Sequence, residues 1–205
     1  MGKIYCLMGK SASGKDTVYR KVLELLPELG TYVMYTTRPM REGEIPGKTY
    51  HYTNAGALEA LSHEGKVIES RTYDTIYGPW TYATVDDGQI DLAAGDYLIP
   101  GTPESFVRLK AYFGANRVVP ILLEVEDGER LIRAIRREQK EAKPKYEELC
   151  RRFLADAADF SEEKLQEAGI SRRFANEDPD RCADAIAKMI RTGNGEDPKL
   201  EKGSF

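Results

Sequence analysis

Residues 3–17, KIYCLMGKSASGKDT, constrain the fold more than any other stretch. The run KIYCLM over 3–8 is too short to cross a membrane or to serve as a secretion signal, but suits a strand buried on both faces. It gives way at Gly9 to small residues as far as Gly14. A helix is expected over 15–26, with Val18, Val22, Leu25 and Leu26 at helical spacing and Pro27 as its terminator. A buried strand feeding a helix through a glycine turn points to an α/β fold, with a central parallel sheet flanked by helices. Such sheets bind ligands beyond the carboxyl ends of their strands, and the turn at 9–14 lies at one.

The turn is itself informative. Gly9, Gly14 and Lys15 nearly reproduce G-x-x-x-x-G-K-[ST], a loop that cradles phosphates. Gly9, Lys10, Ser11, Ala12, Ser13 and Gly14 would aim backbone N–H groups inward, and the helix from Lys15 adds its positive dipole end. The Lys15 ammonium is placed for the β- and γ-phosphates. Asp16 stands where a hydroxyl is expected, and a carboxylate is a good Mg²⁺ ligand, so Asp16 is the candidate metal residue. Thr17 offers a hydroxyl to the α-phosphate region. The expected ligand is ATP with Mg²⁺.

Strands are expected over 31–38, within 66–84, and over 96–100, 117–125 and 171–176. Helices are expected over 54–65 with Asn54 as cap and Gly65 as stop, over 89–95, 103–114 and 178–192, and over 127–168 with a break near Pro144. Strands alternating with helices agree with the parallel sheet, interrupted by a β-rich insert over about 33–84. A chain of 205 residues suits one domain. Its net charge of −4 offers no basic field for nucleic acid, so an anion site has to be local. Three scattered cysteines without C-x-x-C spacing argue against a disulfide framework or a zinc site, and a reduced cytoplasmic setting is expected. With two histidines in the chain, catalysis by paired histidines is not expected.

A second constellation lies in TTRPMREGEIPGKTYHY, residues 36–52. Arg38 and Arg41 can hold one phosphate through bidentate hydrogen bonds. Tyr50 can add a hydroxyl or stack on a base. Glu44, Glu69 and Tyr77-Gly78 fall in the same insert, and a carboxylate suits guanine, whose N1–H and N2–H₂ are adjacent donors. These residues resemble the guanylate kinase pattern T-T-R-x-x-R-x-G-E-x-x-G-x-x-Y, met by Thr36-Thr37-Arg38, Arg41, Gly43-Glu44, Gly47 and Tyr50. The resemblance spans about residues 3–190. It implies ATP-dependent phosphorylation of GMP or dGMP. It assigns the GMP phosphate to Arg38, Arg41, Tyr50 and Tyr77, with Gly78 beside it, and guanine to Glu69 and in part Glu44. It assigns the transferring phosphoryl to lid arginines matching Arg133, Arg136 or Arg137, and Arg152, and places Asn176 near adenine. Lys15 and Arg38 join Arg133, Arg137 and Arg152 as the expected catalytic set. The implied division is a core (about 1–32, 85–126 and 169–192), a monophosphate-binding insert (33–84), a lid (127–168) and a disordered tail (193–205), as a monomer or homodimer without nucleic-acid or membrane partners.

The chain departs from the family pattern at defined points. Asp16 replaces the loop serine, Met34 a serine of the guanine pocket, and Pro79 a guanine-contacting serine or threonine. Pro100 and Thr102 occupy two carboxylate positions, and Asp16 or Glu104 can supply the lost charge. Two other readings stay open: a kinase for another nucleoside monophosphate or phosphate ester, and a non-catalytic binding module of the same fold.

Overall fold

The computed structural model describes residues 1–75 and 77–193. Strand β1 (Ile4–Gly9) is the centre of a four-stranded parallel sheet. It lies between β6 (Tyr97–Gly101) and β7 (Val118–Glu124), and β8 (Arg173–Ala175) pairs with β7 at the edge. Alternation along β1 sends Tyr5 and Leu7 to one face and Ile4, Cys6 and Met8 to the other, and both sets are buried. Helices α1 (Lys15–Leu25) and α7 (Pro179–Thr192) cover the first face through Val18, Val22, Ile186 and Ile190. Helices α3 (Pro103–Phe113) and α6 (Glu162–Ala168) cover the second through Phe106, Leu109 and Leu165. A strand buried on both faces needs such a continuous apolar run. The doubly covered parallel sheet agrees with the expected fold class, and a second, mixed sheet is also present.

That second sheet has the order β3 (His51–Tyr52), β2 (Tyr35–Thr36), β5 (Gly78–Val85) and β4 (Val67–Thr75). Strands β4 and β5 form an antiparallel hairpin. Strand β2 joins β5 to the short β3. Helix α2 (Ala55–His63) packs Leu58 and Leu61 against Ala83, Val85 and Val67, and the Asn54 side chain caps it by accepting from Ala57 N–H. Between β7 and β8 the chain runs through α4 (Asp127–Glu138), α5 (Tyr146–Asp159) and α6.

Three expectations need correction. The strand expected over 31–38 shrinks to Tyr35–Thr36. The Gln89 side chain takes both backbone groups of Val33, donating to its carbonyl at 3.2 Å and accepting its N–H at 2.9 Å, so that residue has no need of a strand neighbour. The helix expected over 89–95 is a turn. The Asp91 carboxylate accepts from Ala93 N–H and the Tyr97 hydroxyl engages Asp91 N–H, and both compete with a first helical turn. The helical stretch 127–168 breaks a second time, where Ser161 caps α6 by accepting from Lys164 N–H. Beyond Gly193 the expected tail lies outside the described residues.

Candidate active site

The phosphate loop leaves the carboxyl end of β1 and enters α1 through Gly14, whose φ of +83° is the left-handed region that glycine occupies without strain. Ala12 also sits there at φ +61°, the one non-glycine residue to do so among those described. Such a residue costs about 1–2 kcal/mol and persists where its surroundings over-determine it. Here they do, from two sides. The Asn176 amide donates to Ser13 O at 2.7 Å. Ser11 is held at three atoms: its N–H donates to Asp156 Oδ2 at 2.7 Å, its carbonyl accepts from Arg130 Nε at 3.0 Å, and its hydroxyl accepts from Arg152 Nη2 at 3.2 Å. Arg130 is 1% exposed, donates to Asp127 and to Asp156 at 3.0 Å, and lies over the Phe153 ring. Helices α4 and α5 thus reach the tip of the loop through a buried ion pair. Neither Arg130 nor Asp156 is among the sequence candidates.

The other loop residues are placed as follows. Lys10 pairs with Asp127 at 3.3 Å. Lys15 Nζ stands 3.3 Å from Asp16 Oδ1, and the Asp16 side chain is 97% exposed. Asn176 is fully buried, and its amide meets the loop at Ser13 O. Arg133 bonds Glu129 and reaches Asn176 O at 3.4 Å, while Arg136 and Arg137 are exposed on α4. At the end of β6, Pro100 brings no polar side chain, and Thr102 is spent as the cap of α3 in a reciprocal box with Ser105.

The second sheet presents one face of polar and aromatic side chains. Cross-strand register puts Glu69 opposite Thr84, Arg71 opposite Tyr82 and Tyr73 opposite Trp80. Tyr82 packs edge-on against Tyr50 and Tyr73. Arg38 is 4% exposed, stacked near Tyr50 and Tyr52, with Nη2 on Glu44 Oε1 at 2.6 Å and Nη1 on Pro39 O at 2.8 Å. Glu44 also accepts from Arg41 N–H and the Tyr52 hydroxyl, both at 2.7 Å, so its carboxylate fixes the arginine loop. The Arg38 hydrogen bond is the main reason its acidity sits at about 2, well below the ordinary carboxylate. Burial pushes the Tyr50 phenol up to about 12, so it stays a neutral donor, and nearby Asp16 contributes to that shift. Glu69 is buried, accepts from Thr84 Oγ1 at 2.7 Å, and has its pKa raised chiefly by burial. Arg41 is exposed. Tyr77 lies at the hairpin tip, stacked on Trp80 with the Lys145 ammonium 5.0 Å from its ring centre, and Gly78 takes φ +100° there.

A guanylate kinase family model matches residues 1–87, which hold both the phosphate loop and the arginine loop. The guanylate kinase of Nocardia farcinica is 32% identical over 165 residues, covering 78% of this chain and 73% of that protein. The chain belongs to the guanylate kinase family. A guanylate kinase of Prochlorococcus marinus is 31% identical, covering 85% of this chain and 77% of that protein. In fold, the chain is similar to the crystal structure of guanylate kinase from Anaplasma phagocytophilum, with a TM-score of 0.68 at 21% identity, over 95% of this chain and 87% of that one. In this family member no helix among the described residues is long and apolar enough to cross a membrane.

Whether the residues fit a magnesium ion is a question of donor chemistry. Among the described residues no three carboxylate, histidine or cysteine side chains gather as a metal cage. Mg²⁺ with a nucleotide asks for less: one or two carboxylates, with phosphate and water oxygens completing the octahedron. Asp16, exposed at the start of α1 beside Lys15, fits that demand.

Proposed function

We propose that this chain catalyses ATP-dependent phosphorylation of GMP by in-line phosphoryl transfer. Residues 9–17 hold the ATP phosphates with Lys15 over the β and γ positions. Arg38, Arg41 and Tyr50 hold the acceptor phosphate, with Tyr77 as the further contact from the hairpin tip. Glu69 receives the guanine N1–H and N2–H₂. Residues 1–32, 85–126 and 169–192 act as the donor core, 33–84 as the acceptor insert and 127–168 as the lid.

The supporting observation is that the stretch matched by the guanylate kinase family model holds both a phosphate loop and an arginine loop whose buried Arg38 is braced on Glu44. An acceptor phosphate oxygen is already nucleophilic, so transfer needs alignment and charge neutralisation rather than a base. Arg38 stays charged at any working pH and uses two of its donors on Glu44 and Pro39, leaving others for phosphate. Arg133, Arg137 and Arg152 lie on the lid helices, and Arg152 already reaches Ser11. They supply positive charge where the phosphoryl group travels. Closure of the lid excludes water and so limits ATP hydrolysis. Asp16 would hold a magnesium ion together with the nucleotide, and that ion would supply further neutralisation of phosphate charge.

A coupled assay of ADP release with MgATP against GMP, dGMP, AMP, CMP and UMP tests the reading. Turnover highest with GMP or dGMP is the expected result. Preference for another acceptor would replace it with the alternative that Met34 and Pro79 point to. No ATP binding in the presence of Mg²⁺ would leave a binding module.

A further inference from the structure

Guanine offers two adjacent donors, N1–H and N2–H₂, and beside them two acceptors, O6 and N7. Resting on the proposed function, Glu69 answers the donors. The acceptors need a donor on the same wall. Met34 and Pro79 have no side-chain donor, and the Thr84 hydroxyl is committed to Glu69.

Arg71 stands two residues beyond Glu69 on β4, after the irregularity between Val67 and Glu69, so both side chains leave the same face. Two residues along a strand advance about 7 Å, which suits the two ends of one purine edge. The Arg71 guanidinium carbon lies over Tyr73, 4.8 Å from its ring centre. Its Nη2 donates to Asp159 at the end of α5, and Glu104 lies 3.7 Å from Nη1, outside hydrogen-bond distance. Among the described residues its Nε–H and Nη1 make no hydrogen bond, and the side chain is 24% exposed. Each parallel donor pair of a guanidinium includes Nη2, which spends one of its two N–H groups on Asp159; the other, with the Nε–H or Nη1–H beside it, forms the kind of fork that reads guanine O6 and N7 in nucleic-acid recognition. A second anionic group in this place would face Glu69, Glu104 and Asp159, three carboxylates against Arg71 and Arg108.

We infer that Arg71 is a specificity-determining residue, donating to O6 and N7 of the acceptor guanine while Glu69 takes its N1–H and N2–H₂. The probes are GMP, 6-thio-GMP and 7-deaza-GMP as acceptors. The thio analogue keeps every donor but weakens the acceptor at position 6, and the deaza analogue removes N7. The wild-type enzyme is expected to prefer GMP to each by roughly 10-fold or more in kcat/KM, in line with a bidentate arginine contact. Arg71→Met is expected to lower kcat/KM for GMP while leaving the analogues within about twofold, so that the preference collapses, with the loss carried by KM. Arg71→Lys should restore part of it.

Asp159→Asn separates this role from a structural one. It removes the negative charge paired with Arg71 and leaves the guanidinium, so the preference for GMP over both analogues should persist. The inference is overturned if wild type accepts all three acceptors equally, a comparison that needs no variant. It is also overturned if Arg71→Met lowers all three in parallel, or if Asp159→Asn collapses the preference as Arg71→Met does. Absence of any GMP turnover in wild type would overturn the proposed function as well, which distinguishes the two failures.

Discussion

Replacing Arg130 with methionine tests how the phosphate loop keeps its shape. The guanidinium is 1% exposed and donates to Ser11 O, Asp156 and Asp127. The Asp127 side chain is 49% exposed, so its release costs little. Asp156 is 16% exposed and loses its cation, and Ser11 loses a partner for its carbonyl. Breaking a buried pair from one side costs about 3–5 kcal/mol. Because Asp156 keeps the Ser11 N–H, the loss should fall at the low end, about 3 kcal/mol. In urea unfolding, Arg130→Met should lower the midpoint at unchanged slope, and KM for ATP should rise as Ser11 loosens. Removing both charges, Arg130→Met with Asp156→Leu, should cost less than the two single losses added, with a coupling of about 1–3 kcal/mol. A single-variant loss under about 1 kcal/mol, with KM for ATP unchanged, would refute the clamp, since it would fall within the range of a surface pair.

Further expectations concern the loop and the acceptor wall. Ala12→Gly should raise stability by about 0.5–1 kcal/mol in the same unfolding assay, because it relieves a left-handed residue at some entropic cost. Lys15→Ala should abolish turnover, and Asp16→Asn should lower it and flatten its dependence on Mg²⁺; a fully active Asp16→Asn enzyme would remove Asp16 from the metal site. Glu69, with its pKa raised by burial, sets a pH dependence of opposite sign for binding and folding. Below that raised pKa it is protonated, so KM for GMP should climb on acidification at a pH above the ordinary glutamate range. Its contribution to folding runs the other way, present at low pH and lost as pH rises through the folded-state value, and Glu69→Gln should flatten both profiles. Glu44, at about 2 in the folded chain, stays ionised and gives KM for GMP no acid limb above pH 3, while the stability that the Arg38–Glu44 pair contributes is present above the ordinary glutamate value of 4.5 and is lost as pH falls from there through about 2.

The loop and its helix were legible because local chemistry settles them: an apolar strand, glycine where φ is positive, lysine at the helix start. The arginine loop was legible as a spaced pattern, although the role of Glu44 as its brace shows only when Arg38, Arg41 N–H and the Tyr52 hydroxyl converge on it. Arg130 was not legible. Helix α4 carries Arg130, Arg133, Arg136 and Arg137, and a helical pattern would send its isoleucines inward. The structure does the reverse, leaving Ile132 44% and Ile135 38% exposed while Arg130 is buried. The deciding partners, Ser11 and Asp156, lie 119 and 26 residues away. The hold of Asn176 on Ser13 O was not legible, since it depends on β8 lying beside β7, a tertiary fact. The lost strand over 31–34 has the same cause, since a distant glutamine satisfies its backbone.

The most direct test of the central claim is product identity. Purified protein is incubated with MgATP and GMP, and ADP and GDP are quantified by chromatography beside Lys15→Ala. Equal amounts of ADP and GDP, absent in the variant, are the expected result. ADP formed without GDP, or neither nucleotide formed, would contradict phosphoryl transfer to GMP by this chain.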